Sequence, residues 1–208
     1  MELSELTVAS FTNLLASNAP APGGGSTAAL EGALGVSLSA MVSAVTIGRK
    51  KYAEFEDLAK EVQAKADRLK DSFLVAMERD TAAFNMFGDA MALPKETAAQ
   101  KAVRSEAMQA ALVACIESPL NMMELCLEAM QLAKALLGKS NANALSDLGV
   151  SALSLTAAVR GAWLNVLINL SGLKDADAAL RYRIRAEEFL GDTVALGEEI
   201  YRTIETSL

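Results

Sequence analysis

A glycine-rich loop near the amino terminus contains the residues best suited to binding a ligand. The loop runs Pro20-Ala-Pro-Gly-Gly-Gly-Ser-Thr27. Its glycines let backbone amides lie close together, and Ser26 is a favourable N-cap for a helix that starts directly after it. Amide donors at the positive end of a helix dipole bind anions or carbonyl groups. The same pattern also fits a sharp turn before a buried helix, so both interpretations stay open.

The surroundings of this glycine loop exclude a nucleotide site. The loop lacks the Gly-Lys-Ser/Thr ending of a P-loop, and no strand precedes it as a dinucleotide-binding motif requires. It remains a candidate cradle for an anion or an amide.

Arg49, Lys50 and Lys51 form a basic cluster at the far end of the same predicted helix. At 1.5 Å per residue this cluster lies about 35 Å from the glycine loop. The two regions therefore cannot bind one small group within one subunit, but antiparallel copies of the helix across a subunit interface would bring them together. Alternatively, the three cations only stabilise the C-terminus of a helix.

Asp147 is the best acid/base candidate by residue type and position. It begins a nearly uncharged helix, where the dipole stabilises a carboxylate, and Asn141, Asn143 and Ser146 place donors and acceptors in the same turn. The alternative is a capping arrangement without a catalytic role. Asp80, midway along a long helix, is a second carboxylate that either faces a cleft or belongs to the charged surface.

The chain contains no histidine. Histidine-based triads, proton relays and zinc sites are therefore excluded, and we predict no metal site. Cys115 and Cys126 are predicted to fill the core, because neither has a neighbouring cysteine in a Cys-x-x-Cys motif. Two thiols and an acidic amino-terminal segment without signal-peptide features predict a cytoplasmic protein.

Composition predicts one domain over residues 1–208. Of its 208 residues, 52% are hydrophobic and 5% aromatic, and the net charge is −7. No segment forms a basic stripe, so nucleic acid and anionic membranes are not expected as partners. Small molecules and protein surfaces are the favoured partners.

The periodicity of apolar residues predicts an all-α bundle of six or seven helices. Two helices are predicted to be buried because they are poor in charge: residues 26–48 carry only Glu31, and residues 140–173 carry only Asp147 and Arg160. Their small residues allow close approach of neighbouring backbones. We expect Glu31 to pair with Arg160, since an isolated buried ion is costly.

Five amphipathic helices complete the prediction. A Ser118-Pro119 pair is typical of an N-cap followed by the first helical residue, and it separates two of them. Residues 26–48 are long enough to span a membrane, but Glu31 and the absence of a second apolar span of similar length favour a bundle helix. Asn165 and Asn169 are expected to form interhelical hydrogen bonds. The five helices cover residues 4–16, 54–91, 95–116, 118–138 and 175–206.

Six motifs occur in order along the chain. They are Pro22-Gly-Gly-Gly-Ser26, Gly32-Ala-Leu-Gly35, Met41-Val42, Thr46-Ile-Gly-Arg-Lys-Lys-Tyr52, Leu93-Pro94-Lys95 and Asn141-Ala-Asn-Ala-Leu-Ser-Asp147-Leu-Gly149. Together they resemble the cyclodeaminase/cyclohydrolase family of folate enzymes, which includes the cyclodeaminase half of formiminotransferase-cyclodeaminase and free-standing methenyltetrahydrofolate cyclohydrolases. The resemblance covers essentially the whole chain. It implies an all-helical homodimer with a folate site near the dimer interface, as the distance argument also requires.

The resemblance implies one of two activities. A cyclohydrolase converts 5,10-methenyltetrahydrofolate to 10-formyltetrahydrofolate, whereas a cyclodeaminase releases ammonia from 5-formiminotetrahydrofolate, beside a separate formiminotransferase. The size of the chain favours the cyclohydrolase. A non-catalytic folate-binding or scaffold bundle is a third alternative. We expect no permanently bound cofactor, only a tetrahydrofolate derivative as substrate.

Roles for individual residues follow as hypotheses from the resemblance. Asp147 is assigned as general base or cation stabiliser, Lys51 or Lys50 as proton donor or glutamyl-tail contact, and Asp80 as the reserve carboxylate. The amides of the glycine loop and an asparagine of the Asn-rich turn would hold the pterin or its carbonyl group. The substrate-binding candidates are Pro22, Gly23, Gly24, Gly25, Ser26, Arg49, Lys50, Asn141 and Asn143.

Overall fold

Six α-helices build the fold, which confirms the all-α prediction. The computed structural model describes residues 2–208; it is 84% helical and has no strand in that range. Three short 3-10 helices, Leu3–Glu5, Lys50–Phe55 and Ala142–Ala144, precede α1, α3 and α5. The α-helices are α1 (Val8–Leu15), α2 (Gly24–Ala44), α3 (Glu56–Ala92), α4 (Ala98–Leu136), α5 (Leu145–Leu170) and α6 (Ala176–Glu205).

Helix α2 packs closely on α5 and α3 through small residues. The Ser39 and Ser151 hydroxyls lie 2.9 Å apart, and the Ser151 hydroxyl donates to the Gly35 carbonyl at 2.6 Å. A Cβ atom added at Gly35 would lie 3.1 Å from the Ser151 carbonyl, and one added at Gly32 would lie 2.4 Å from the Phe73 ring. These contacts confirm the predicted close approach of backbones. They also hold α2 in place against α3 and α5.

The predicted ion pair between Glu31 and Arg160 was wrong. Among residues 2–208 no ion pair within 4.0 Å involves either side chain. Glu31 lies near α4, where its charge contributes to raising the pKa of the buried Cys126 thiol, whereas Arg160 is exposed beside a groove between α5 and α6. Burial raises the pKa of Glu31 itself. The helices thus point the two charges to different neighbours.

Helix α4 is continuous through Pro119, where the sequence predicted separate helices over residues 95–116 and 118–138; that prediction was wrong. Proline cannot donate to the carbonyl four residues earlier, here that of Cys115. The side-chain amide of Asn169 on α5 donates to this carbonyl at 3.1 Å. A neighbouring helix therefore supplies the missing donor, and α4 continues.

Three spans are long and apolar enough to cross a membrane by length and composition alone: Gly24–Ala44, Ala98–Leu136 and Ala142–Leu170. The expectation of one such span was therefore wrong, because an occasional charge leaves the mean hydropathy of a long helix high. Within the chain, 50%, 50% and 39% of the respective windows are buried. The absence of a membrane partner stays a prediction.

Candidate active site

The glycine loop and Asp80 meet at the N-terminus of α2. Gly23 is the N-cap residue without a side-chain hydrogen bond, and the helix begins at Gly24. Ser26, predicted as the N-cap, instead lies in the first turn, because the chain already turns into helix at the glycines. Its hydroxyl donates to Asp80 Oδ2 at 3.2 Å, and its backbone amide also hydrogen-bonds this carboxylate. A carboxylate of α3 thus caps α2.

Only one of the three glycines of the loop lies so close to Asp80 that no side chain would fit there. A Cβ atom at Gly25 would lie 2.1 Å from Asp80 Oδ1, closer than any real contact. At Gly24 it would lie 3.5 Å from Asn165 Nδ2, and at Gly23 it would meet nothing within 4 Å. The carboxylate therefore touches the helix backbone at a place that only glycine permits.

Burial raises the pKa of Asp80, against the opposing effect of the two hydrogen bonds from Ser26, which lower it. A carboxyl group whose pKa moves toward neutrality exchanges its proton more readily near physiological pH. The pKa of the neighbouring Cys115 thiol is raised by burial and then by the Asp80 charge. The raised pKa and the position in a cleft make Asp80 the candidate acid/base group of this site.

Two asparagines of α5 complete the wall opposite the glycine loop. Asn169 Nδ2 donates to the Cys115 carbonyl on α4 at 3.1 Å and to the Asn165 carbonyl at 2.8 Å, while Asn165 Nδ2 donates to the Gly161 carbonyl at 2.9 Å. The interhelical bond confirms the expectation for Asn169. Within residues 2–208 the side-chain oxygens of both asparagines accept no hydrogen bond, so they are available to donors of a ligand.

These groups line a narrow cleft, and a larger cavity adjoins it. The cleft, hereafter the acid cleft, has a volume of about 160 Å³, and the adjoining open cavity has about 750 Å³. The walls of both include Phe84, Cys115, Asn165 and Asn169. The acid cleft and the open cavity therefore share part of their walls, and Asp80 lines the acid cleft.

A second polar cluster lies at the other end of α2. The Asn141 amide donates to Thr46 Oγ1 at 2.9 Å, and its side chain donates to the Val45 carbonyl at 3.1 Å. The Ala142 amide donates to the Tyr52 hydroxyl at 2.9 Å, and this bond, followed by the effect of Lys51, lowers the pKa of Tyr52. These contacts tie the Asn-rich turn to the segment after α2.

The remaining predicted site residues all lie at this end of α2, and we call them the far-end cluster. Asp147 is partly buried in the first turn of α5. The local capping hydrogen bond does not involve its carboxylate: the Asn143 amide donates to the Asn141 side-chain oxygen at 3.1 Å. Lys51 is exposed, with Nζ 5.4 Å from the Tyr52 ring centroid. The cluster consists of Arg49, Lys50, Lys51, Asn141, Asn143 and Asp147.

The structure therefore divides the predicted site into two groups. Asp80 joins the glycine loop, in which Pro22 is buried, whereas Asp147 and the lysines lie at the opposite end of α2. Helix α2 has 21 residues and is about 30 Å long at 1.5 Å per residue. One subunit alone does not bring the two groups to the same reacting atom.

Sequence reasoning missed Thr81, Phe84 and Cys115 as parts of the acid cleft, and it treated Asn165 and Asn169 as structural. One signal was available: Asp80 and Phe84, like Asn165 and Asn169, are four residues apart and share a helix face. Among residues 2–208 no group of three His, Cys, Asp or Glu side chains forms a candidate metal site.

Comparison with known proteins places the chain among folate enzymes. Residues 7–188 match the family model described as Formiminotransferase-cyclodeaminase. The chain is 39% identical over 202 residues to the methenyltetrahydrofolate cyclohydrolase of Methylorubrum extorquens, covering 97% of each. It is 32% identical over 165 residues to the formimidoyltransferase-cyclodeaminase of Gallus gallus, where it covers 79% of this chain but 30% of that relative.

A solved structure shows the same fold. The crystal structure of formiminotetrahydrofolate cyclodeaminase from Thermotoga maritima superposes with a TM-score of 0.82, at 23% identity, covering 99% of this chain and 96% of the other. The helical architecture around the acid cleft is thus one that already exists in a solved protein.

Proposed function

The chain belongs to the formiminotransferase-cyclodeaminase family, and we propose that it is a methenyltetrahydrofolate cyclohydrolase. A relative of that name matches 97% of the chain at 39% identity. One structural feature supports this activity: Asp80, with a raised pKa, lies under the glycine loop in a cleft that adjoins a cavity of about 750 Å³.

The reaction requires a proton acceptor and a proton donor at one carbon atom. In 5,10-methenyltetrahydrofolate the bridging carbon is an amidinium centre whose positive charge is shared with N5 and N10. Water adds to this carbon, the bond from the carbon to N5 breaks, and the formyl group stays on N10. One proton from water ends on N5 and the other is released to solvent. A single carboxyl group beside the carbon can perform both transfers.

Asp80 is suited to this role by its surroundings. Its ionised form faces the cationic carbon, accepts a proton from the attacking water and then passes that proton to the departing N5. Because the pKa of Asp80 is raised, this carboxyl group holds a proton closer to neutral pH than an ordinary aspartate does, and it can therefore protonate a departing nitrogen more readily. Hydrogen bonds from Ser26 hold the carboxylate in place, and the side-chain oxygens of Asn165 and Asn169 receive N–H donors of the pterin.

We also propose a homodimer in which the far-end cluster of one subunit approaches the acid cleft of the other. Large apolar side chains remain exposed on α2 and α5, the two helices that carry these regions, and their burial against a second copy would be favourable. Lys51 and Asp147 would then act on the substrate from the second subunit. The exposed apolar residues are Leu34, Met41, Val150, Leu153, Leu164 and Ile168. The molar mass in solution tests this: a monomeric mass at assay concentration contradicts the shared site.

Cyclodeamination is the second candidate function. In that reaction N10 adds to the formimino carbon of 5-formiminotetrahydrofolate and ammonia leaves, so the same tetrahedral carbon with nitrogen substituents is formed. The names of the Gallus gallus relative and of the Thermotoga maritima structure favour it. Such an activity would depend on a separate formiminotransferase to supply the substrate.

Two absorbance assays separate these functions. The protein is incubated with 5,10-methenyltetrahydrofolate, and separately with 5-formiminotetrahydrofolate, each beside a protein-free control for spontaneous reaction. Faster loss of the methenyl ultraviolet band supports the cyclohydrolase, and appearance of that band in the second mixture supports the cyclodeaminase. No rate above the control in either mixture contradicts both and leaves a non-catalytic folate-binding or scaffold protein.

A further inference from the structure

Three cationic side chains surround the outer end of the open cavity. Lys101 and Arg104 extend from α4, and Lys174 lies between α5 and α6. Within residues 2–208 none of the three forms an ion pair, and no Asp or Glu lines this cavity. The chain carries a net charge of −7, so an acid-free group of three cations is not the arrangement that its composition predicts. We call this group the cationic rim.

Hydrogen bonds position two members of the cationic rim, Arg104 and Lys174. Arg104 Nε donates to the Met91 carbonyl at 3.1 Å, which fixes one edge of its guanidinium group and leaves the other nitrogens for a ligand. The Lys174 amide donates to Gln109 Oε1 at 2.7 Å, and Gln109 Nε2 donates to the Gly172 carbonyl at 3.0 Å. The loop that carries Lys174 is therefore tied to α4, on the same side of the cavity as the other two cations.

The two adjoining cavities differ in chemistry. The inner end has the side-chain oxygens of Asn165 and Asn169 beside the Asp80 carboxylate, and the amide oxygens match a ring with several N–H donors. The α4 wall that leads from there to the cationic rim is apolar, with Met108 and Leu112. The outer end is cationic. A matching ligand has a hydrogen-bonding ring, an apolar aromatic body and an anionic tail, in that order.

We propose that Lys101, Arg104 and Lys174 bind the glutamyl carboxylates of the folate substrate and so orient it, with the pterin ring toward Asp80. This inference rests on the function proposed above. A folate has its pterin, benzoyl and glutamate groups in the required order. N5 belongs to the pterin ring and N10 is bonded to the benzoyl ring, so the carbon that bridges them lies between the first two groups. The orientation therefore puts the reacting carbon where the acid cleft meets the open cavity. Each added glutamate contributes further negative charge, so the cationic rim selects for glutamylated substrates.

The test compares three substrates on the full-length protein. They are 5,10-methenyltetrahydrofolate with one glutamate, the same compound with three glutamates, and a glutamate-free control. The control, called the pteroate below, is the methenyltetrahydropteroate with its benzoate carboxylate converted to a neutral amide, so that its tail carries no negative charge. The variant carries Lys101→Gln, Arg104→Gln and Lys174→Gln. We expect its KM to rise roughly ten- to hundredfold for both glutamylated substrates, most for the triglutamate, with kcat within about twofold. The KM for the pteroate should stay unchanged.

A charge-matched control removes three cations elsewhere. Lys60→Gln, Lys65→Gln and Arg202→Gln lie in exposed pairs one helical turn apart, so the control has the same net charge but keeps the cationic rim. It should retain the wild-type KM for all three substrates. If the triple variant unfolds, a double variant with Lys101→Gln and Lys174→Gln replaces it in the test. The double variant keeps the hydrogen bond from Arg104 to the Met91 carbonyl.

The outcomes separate this inference from the proposed function. No turnover by the wild-type protein overturns the proposed function. Turnover with equal KM values for wild type and rim variants, or an equal rise in KM for the pteroate, overturns the role of the cationic rim alone. Added salt gives an independent readout, since it should raise the wild-type KM for the triglutamate but not for the pteroate.

Discussion

The two ends of α2 each hold an aspartate beside polar groups, but the aspartates are held differently. Asp80 accepts two hydrogen bonds from Ser26, and burial raises its pKa. Asp147 accepts no hydrogen bond within residues 2–208 and shares its end of the helix with the exposed Lys51. Folding thus gives Asp80 hydrogen-bond partners from another helix, whereas it gives Asp147 none among the described residues.

Both carboxylates lie at the N-terminus of a helix, so the helix dipole does not distinguish them. Asp147 lies in the first turn of its own helix, α5. Asp80 reaches the start of α2 from α3, across 54 residues of sequence. A local reading of the sequence finds the first arrangement and misses the second, because the second exists only after α2 and α3 pack together.

Asp80→Asn is expected to have the largest effect on activity. The amide keeps the shape of the side chain but can neither accept a proton from water nor donate one to N5, so kcat should fall about a thousandfold. Asp147→Asn should lower it by about tenfold, because this side chain has no bound partner to position it. Initial rates of methenyl loss measure both, and circular dichroism checks that each variant keeps its helices.

The reverse ranking would contradict the comparison. If Asp147→Asn abolished turnover while Asp80→Asn retained it, the far-end cluster would contain the acid/base group, and the buried carboxylate would serve only to cap α2. Equal large losses for both variants would instead indicate that the two aspartates contribute equally to the chemical step.

Gly25→Ala tests whether the position of Asp80, and not only its charge, matters. The added methyl group would lie 2.1 Å from Asp80 Oδ1, so the carboxylate must move. A displacement of about 1 Å at a reacting group can cost about a hundredfold in rate, and we expect a loss of that size. Steady-state kinetics measure it, and reduced thermal stability should accompany it.

Gly88→Ala is the matched control, because it is a helical glycine in α3 with nothing within 4 Å of the added methyl group. It should keep the wild-type rate and gain up to about 1 kcal/mol in unfolding free energy from helix propensity. An unchanged rate for Gly25→Ala would show that the contact between the loop and Asp80 is not needed for turnover.

The helices could be predicted from the sequence far better than the site. Apolar periodicity gave α3 and α6 close to their observed bounds, and the glycine loop identified the start of α2. The wall formed by Cys115 and Asn169 could not be predicted, since it depends on which faces of α4 and α5 meet. Pro119 shows the same limit, because its helix continues only through a donor from another helix.

A hybrid dimer tests whether the two ends of α2 meet across subunits. One subunit carries Asp80→Asn and the other carries Lys51→Ala with Asp147→Asn, and each homodimer alone should have less than about a tenth of wild-type activity. Random pairing makes half the molecules hybrids, and in antiparallel dimers each hybrid has one intact site of two, so the mixture should recover about a quarter of wild-type activity. Differently tagged, co-expressed subunits allow the hybrid to be purified and assayed. No recovery in the purified hybrid would show that the clusters act separately or not at all.

The smallest effect concerns the dependence of stability on pH. Because burial raises the pKa of Asp80 above its ordinary value of 3.8, the folded chain holds this proton more tightly than the unfolded chain does. As pH rises from that value through the folded-state pKa, the Asp80 contribution to the unfolding free energy therefore falls, and above it the loss is constant. Asp80→Asn removes this contribution, so the variant should gain stability relative to wild type across the same pH interval.

Ser26→Ala should widen the pH interval, since the serine hydroxyl lowers the pKa of Asp80. Urea unfolding at a series of pH values measures all three proteins. Parallel curves of unfolding free energy against pH for wild type and Asp80→Asn would mean that folding does not raise the pKa of Asp80. The distinction between the two ends of α2 would then rest on geometry alone.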